Sequence, residues 1–164
     1  MRSTLFLAAA VLCVGFSTAS FAAGGGSDGN TASSAFPSKP VDPTFARAKQ
    51  MIEARDYRNA VPLLQQVVQK DPRNADAYNL MGYAIRSSGD PNGSLQYYQQ
   101  ALAIDPRHLG AHEYIGEAYL MLNRPAEAEQ HLARLDSLCV FGCVEQRTLK
   151  AAIASYKAGK KPTN

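Results

Sequence analysis

Ala75–His108 reads ADAYNLMGYAIRSSGDPNGSLQYYQQALAIDPRH. Tyr78, Met81, Gly82 and Ile85 recur at spacings of three and four, which places them on one face of a helix. After Gly89-Asp90-Pro91 a second helix carries Leu95, Tyr98, Ala101 and Leu102 on one face. Pro91 suits a helix start, where its missing N–H costs nothing. Pro106 biases Asp105 away from helical geometry and closes the unit. The whole stretch reads as one helical hairpin.

Shifted by its own length, the hairpin falls on related sequence in both directions. Gly82 aligns with Ala48 and Gly116, and Ile85 with Met51 and Tyr119. Ser94 aligns with Ala60 and Ala128, Tyr98 with Leu64 and Leu132, and Ala101 with Val67 and Leu135. Small residues recur where helices would cross, and large ones where they would fill a core. Pro106 aligns with Pro72, but Val140 stands where a third closing proline would fall. This outline resembles the tetratricopeptide repeat (TPR), with its 34-residue period and its aromatic–Leu–Gly–Tyr then Ala–Phe–Ala–Pro signature.

The resemblance implies an all-α fold, a right-handed superhelix of three helix-turn-helix hairpins at 41–74, 75–108 and 109–142. Asp42 is expected to cap the first hairpin, with Pro43 at its first helical position. Pro62 is expected near the start of the second helix, where its cost is reduced. Asn123-Arg124-Pro125 is the turn of the third hairpin. A capping helix is expected over 143–158, with Leu149, Ala152, Ile153 and Tyr156 on its apolar face. Gly159 ends it, and a basic tail, 159–164, follows.

Residues 1–22 have the layout of a secretory signal peptide: Arg2, an apolar run from Leu5 to Phe16, then small residues. The expected cut lies after Ala22. The run is short for a membrane span. Cys13 follows Leu12 and not the small residues of a lipoprotein signal, so it reads as part of the apolar run. Residues 23–40 are rich in Gly, Ser and Pro and read as a flexible tether. The expected location is therefore periplasmic or secreted. The formal charge is +3, too small for a nucleic-acid surface, which would need a basic stripe.

Cys139 and Cys143 are the feature that the repeat does not explain. In an oxidising compartment the expectation is a structural disulfide fixing the last hairpin against the cap. A redox pair and a soft-metal site with His108 and His112 are the open alternatives, although the spacing is not C-x-x-C.

No phosphate loop, metalloprotease motif or nucleophile elbow occurs, so no catalytic residue, cofactor or dedicated metal site is expected. In TPR stacks the first helices line a concave groove. The resemblance places Lys49, Asn79, Tyr83, Arg86, Glu113 and Glu117 towards it. Chaperone-binding members grip a C-terminal carboxylate with Lys, Asn and Arg. Here the matching places hold Phe45, Lys49, Leu80, Gly110 and Tyr114, so that activity does not carry over. The reading is an exported scaffold or adaptor for a protein or peptide partner, with envelope complex assembly as the analogy. The second reading is a periplasmic metal- or thiol-handling protein using Cys139 and Cys143.

Overall fold

The computed structural model describes residues 42–160 and residue 162. The leader, the tether, Val41 at the start of the first expected hairpin, Lys161, Thr163 and Asn164 lie outside the described residues. Among the described residues, seven helices follow one another: α1 (Pro43–Glu53), α2 (Tyr57–Lys70), α3 (Ala75–Ser87), α4 (Pro91–Ile104), α5 (Leu109–Met121), α6 (Pro125–Leu138) and α7 (Val144–Lys157). No strand occurs among the described residues, and none of these helices is long and apolar enough to cross a membrane. The all-α class expected from the repeat is the class observed.

The same chemistry starts and stops each hairpin. Asp42 Oδ1 accepts the N–H groups of Thr44 and Phe45 at 2.7 and 3.3 Å, which caps α1. Asp90 does the same for α4 through the Gly93 N–H at 2.8 Å. After each of α1, α3 and α5 one residue turns left-handed: Arg55, Gly89 and Asn123, one repeat apart. The next residue then bonds back across the turn, Asp56 N–H to Met51 O, Asp90 to Ile85 and Arg124 to Tyr119. This satisfies a carbonyl that the helix end leaves open. Gly159 closes α7 with the same pattern, Lys160 N–H to Ser155 O. At its C-terminus α7 thus ends as the first helices of the three hairpins do.

Two linkers between hairpins share one design. Asp71-Pro72-Arg73-Asn74 and Asp105-Pro106-Arg107-His108 each fold the Asp carboxylate onto the N–H two residues on, at 3.3 and 2.9 Å. Asn74 and His108 then cap α3 and α5 by accepting from Ala77 and Ala111. Asp105 is extended, as the following proline requires. Pro62 departs from expectation. The second helix already begins at Tyr57, so Pro62 sits in its second turn and removes one interior hydrogen bond.

Apolar packing follows the sequence columns. Ala48, Leu64, Val67, Ala77 and Met81 form one core cluster. A larger one joins Leu95, Tyr98, Ile115, Tyr119, Leu120 and Leu135 to Leu149 and Ile153 of α7. Each fully buried Leu or Ile contributes about 1.5–3 kcal/mol relative to exposure. Gly82 is small because Tyr98 lies on it: an added Cβ would stand 2.6 Å from the ring. First helices touch in series, α1 with α3, α3 with α5 and α5 with α7. The second helices α2, α4 and α6 touch first helices but not one another. The first helices therefore form the inner row.

The third linker breaks the design. It runs from Cys139 to Cys143, and the two are joined in a disulfide with Cα atoms 5.6 Å apart. The sulfurs are thus spent on each other, and neither is a free thiol or a metal ligand in this state. Val140 and Phe141 stand at the loop's tip, Phe141 with its whole surface in solvent.

Candidate partner-binding groove

The inner row carries three clefts, each built from neighbouring elements. The first lies between α1 and α3, holds about 200 Å³, and is lined by Phe45, Lys49, Asp76, Asn79 and Leu80. Asn79 is only 6% exposed, and its Oδ1 has no hydrogen-bond partner among the described residues. A buried amide oxygen left open is costly. Lys49 is exposed. Asp76 accepts from His108 Nε2 at 3.1 Å, and that bond first, with the Lys49 charge, holds its carboxyl below the ordinary range despite partial burial. His108 Nδ1 meanwhile accepts the Ala111 N–H, so the proton sits on Nε2.

The second cleft holds about 190 Å³ and is lined by Arg55, Tyr57, Tyr83 and Ser87. Tyr83 meets Tyr57 edge-on at 5.9 Å and Tyr114 at 5.1 Å between ring centres. Such aromatic contacts hold the ring rigid at low entropy cost. Burial, then the Tyr57 hydroxyl, raises the Tyr83 pKa.

The third cleft is the most charged. It holds about 470 Å³ between α3, α5 and α7, lined by Arg86, Glu117, Leu120, Thr148, Ala151 and Lys160 among others. Arg86 pairs with Glu117 at 2.8 Å and is itself only 4% exposed. Its guanidinium also lies 5.5 Å from the Tyr83 ring centre and 5.7 Å from that of Tyr114. Burial works against this cation, but Tyr98, Glu117 and Tyr83 together more than offset it. Arg86 is therefore a hub that fixes α3 to α5, not a free arm. Glu113, one turn before Glu117, is buried; burial first, then Glu117 and Glu145, pushes its pKa up to about 7. Glu117 is also raised by burial, with Arg86 opposing.

Lys49 and Asn79 thus share the first cleft, Tyr83 lines the second, and Arg86 and Glu117 line the third. Glu113 lines none of these three and sits within the charge field of the last. Sequence reasoning did not reach Asp76, Tyr57 or Thr148. For Asp76 a signal existed, since Asp76, Asn79 and Tyr83 fall at spacings of three and four. Tyr57 and Thr148 come from other helices, and no local spacing announces them.

Family models described as tetratricopeptide repeat match residues 45–108 and 86–138, together more than half of the chain. The Protein O-mannosyl-transferase Tmtc3 of Drosophila melanogaster is 36% identical over 83 residues, 51% of this chain and 9% of that protein. Protein FlbA of Caulobacter vibrioides is 32% identical over 89 residues, 54% of this chain and 15% of its own length. The chain therefore spans a small fraction of these relatives. Among solved structures, the type III secretion translocator chaperone SycD of Yersinia enterocolitica superposes with a TM-score of 0.65 at 15% identity. That match covers 71% of this chain and 82% of SycD, a likeness of fold. With period, caps, helix order and family match in agreement, the chain belongs to the tetratricopeptide repeat family.

Proposed function

We propose that this protein is an exported adaptor that holds an extended segment of a protein partner along the inner row of first helices. One observation carries the reading. Asn79, whose buried amide oxygen has no hydrogen-bond partner among the described residues, lines a cleft beside an exposed lysine and an apolar wall of Phe45 and Leu80. An amide there pairs with a peptide N–H, and the neighbouring walls take a side chain. The ring of Tyr83 offers the next flat contact along the row. The lining residues form hydrogen bonds and ion pairs with one another, an arrangement suited to holding and not to bond-making.

Export is supported by the Arg2, Leu5–Phe16, Ala22 layout and by a disulfide, which persists in oxidising compartments. An envelope assembly role is the analogy with exported repeat proteins.

Affinity capture from an envelope extract tests the reading, with Lys49→Glu and Asn79→Ala as separate baits beside the wild type. A partner held by the wild type is expected to fall at least about fivefold in both variants, since a lost polar pair costs about 1–3 kcal/mol. Retention of the same partner by both variants, with unchanged circular dichroism, would sink the groove. Mass spectrometry of the mature chain from the envelope is expected to start at Ala23.

A further inference from the structure

Among the described residues the large apolar side chains left in solvent are Val140, Phe141 and Val144. All three stand at the start of α7 or in the loop before it. The Cys139–Cys143 bond holds this loop in shape, so its apolar tip can meet a partner with little further ordering. Arg147 packs beside Gly142, with Nη1 3.7 Å from where a Cβ there would stand. The tip is therefore continuous with the outward face of α7.

That face has a fixed place in the repeat. Asn79, Glu113 and Arg147 stand one repeat apart on α3, α5 and α7, and so do Arg86, Leu120 and Ala154. On α3 and α5 these positions are buried. The next helix of the row covers them: Gly110 lies against the Asn79 amide, Glu117 pairs with Arg86, and Leu120 shares a cleft with Thr148 and Ala151 of α7. On α7 itself Arg147, Ala151 and Ala154 are exposed. The inner row thus ends on a face that has twice before received a helix.

We propose that this face, together with the tip at Val140, Phe141 and Val144, docks an amphipathic helix of a protein partner that is apolar on one side and acidic along its flank. Ala151 and Ala154 are small, so a second helix axis can come close. Arg147 and Lys150 are exposed and form no ion pair among the described residues, whereas Lys157 is held by Glu129. Carboxylates on the incoming helix complement those two cations. Phe141 is the anchor, a rigid aromatic side chain whose whole surface is free to be buried. A second copy of this chain fits less well. Its α7 brings the same cations, and its α1, at the other end of the row, brings Arg47 and Lys49 against Glu53 alone. Docking here leaves the first and second clefts open, so it does not depend on what the groove holds.

The test uses the full chain and two short amphipathic helical peptides, each with leucines on one face, flanked by glutamates in one and by lysines in the other. The glutamate peptide is expected to bind at least about fivefold tighter at low salt, and to lose that advantage as salt rises. It should shift the amide NMR signals of Val144, Arg147, Ala151 and Ala154 and spare those of Asn79 and Leu80. Reversing the charges, Arg147→Glu with Lys150→Glu, is expected to reverse the order of the two peptides. Phe141→Ser is expected to weaken the glutamate peptide at least about tenfold. All three side chains are exposed, so the fold stays intact. Equal affinity for the two peptides, or shifts confined to the first cleft, would overturn the proposal. A dimer in sedimentation that Phe141→Ser abolishes would overturn it in favour of a second copy. Binding to phosphatidylglycerol vesicles through Phe141, with the peptides undistinguished, would overturn it in favour of a lipid surface.

Discussion

Gly82 and Gly116 occupy one column of the repeat, yet their neighbours differ in freedom. A methyl at Gly82 would meet the body of the Tyr98 ring at 2.6 Å. Tyr98 is fully buried and packed near Tyr114, so it has nowhere to turn. A methyl at Gly116 would meet Leu149 at 2.7 Å, and Leu149 rides on the last helix, α7. Overpacking costs about 1–3 kcal/mol, while alanine regains about 1 kcal/mol of helix propensity. Gly82→Ala, where the rigid Tyr98 ring puts the cost at the upper end, is therefore expected to lower unfolding stability by up to about 2 kcal/mol, and Gly116→Ala by clearly less. Urea midpoints measure both; equal losses would show that α7 does not yield. The small column itself was legible from spacing alone. That Asn79, Arg86 and Glu113 sink below the surface was not, because their burial depends on Tyr114, Gly110 and α7, which lie far along the chain from the residues they cover.

At the level of elements, the disulfide stands where two other junctions use Asp-Pro-Arg. Those turns hold themselves by carboxylate-to-backbone bonds. The third relies on Cys139–Cys143, with Gln146 reaching Asp136 at 2.6 Å and Lys157 reaching Glu129 at 2.7 Å. The cystine loop is short, so its entropic contribution is small, about 2 kcal/mol. Replacing both cysteines by serine is expected to raise hydrogen exchange in α7 while α1–α4 stay protected. Uniform loss of protection across all helices would contradict a local clamp. The helices and their caps could be read from sequence because each rests on neighbours within four residues. The cystine junction could not be placed beyond its expected bond, since its sequence has no counterpart in the other two.

For the molecule as a whole, acid and base pull stability in opposite directions between pH 4.5 and 7. His131, depressed from 6.5 to about 4, contributes stability above pH 6.5 that is lost as pH falls towards 4. Glu113, raised from 4.5 to about 7, contributes stability below pH 4.5 that is lost as pH rises through 7. Melting temperatures at pH 5, 6 and 7 separate them. His131→Gln is expected to leave a profile that falls over this range, and Glu113→Gln one that rises. Parallel profiles for both variants would show that neither group is perturbed. Neither shift was visible in sequence, because each comes from desolvation by helices that fold back from elsewhere.

Phe141, wholly in solvent between two bonded cysteines, has a consequence for how the chain can be cut. Exposed loop tips are where proteases enter, and chymotrypsin prefers an aromatic residue. A nick after Phe141 would sever the backbone but leave both fragments tethered through sulfur. On a non-reducing gel the digest should run as one band, and dithiothreitol should release the short piece that begins at Gly142.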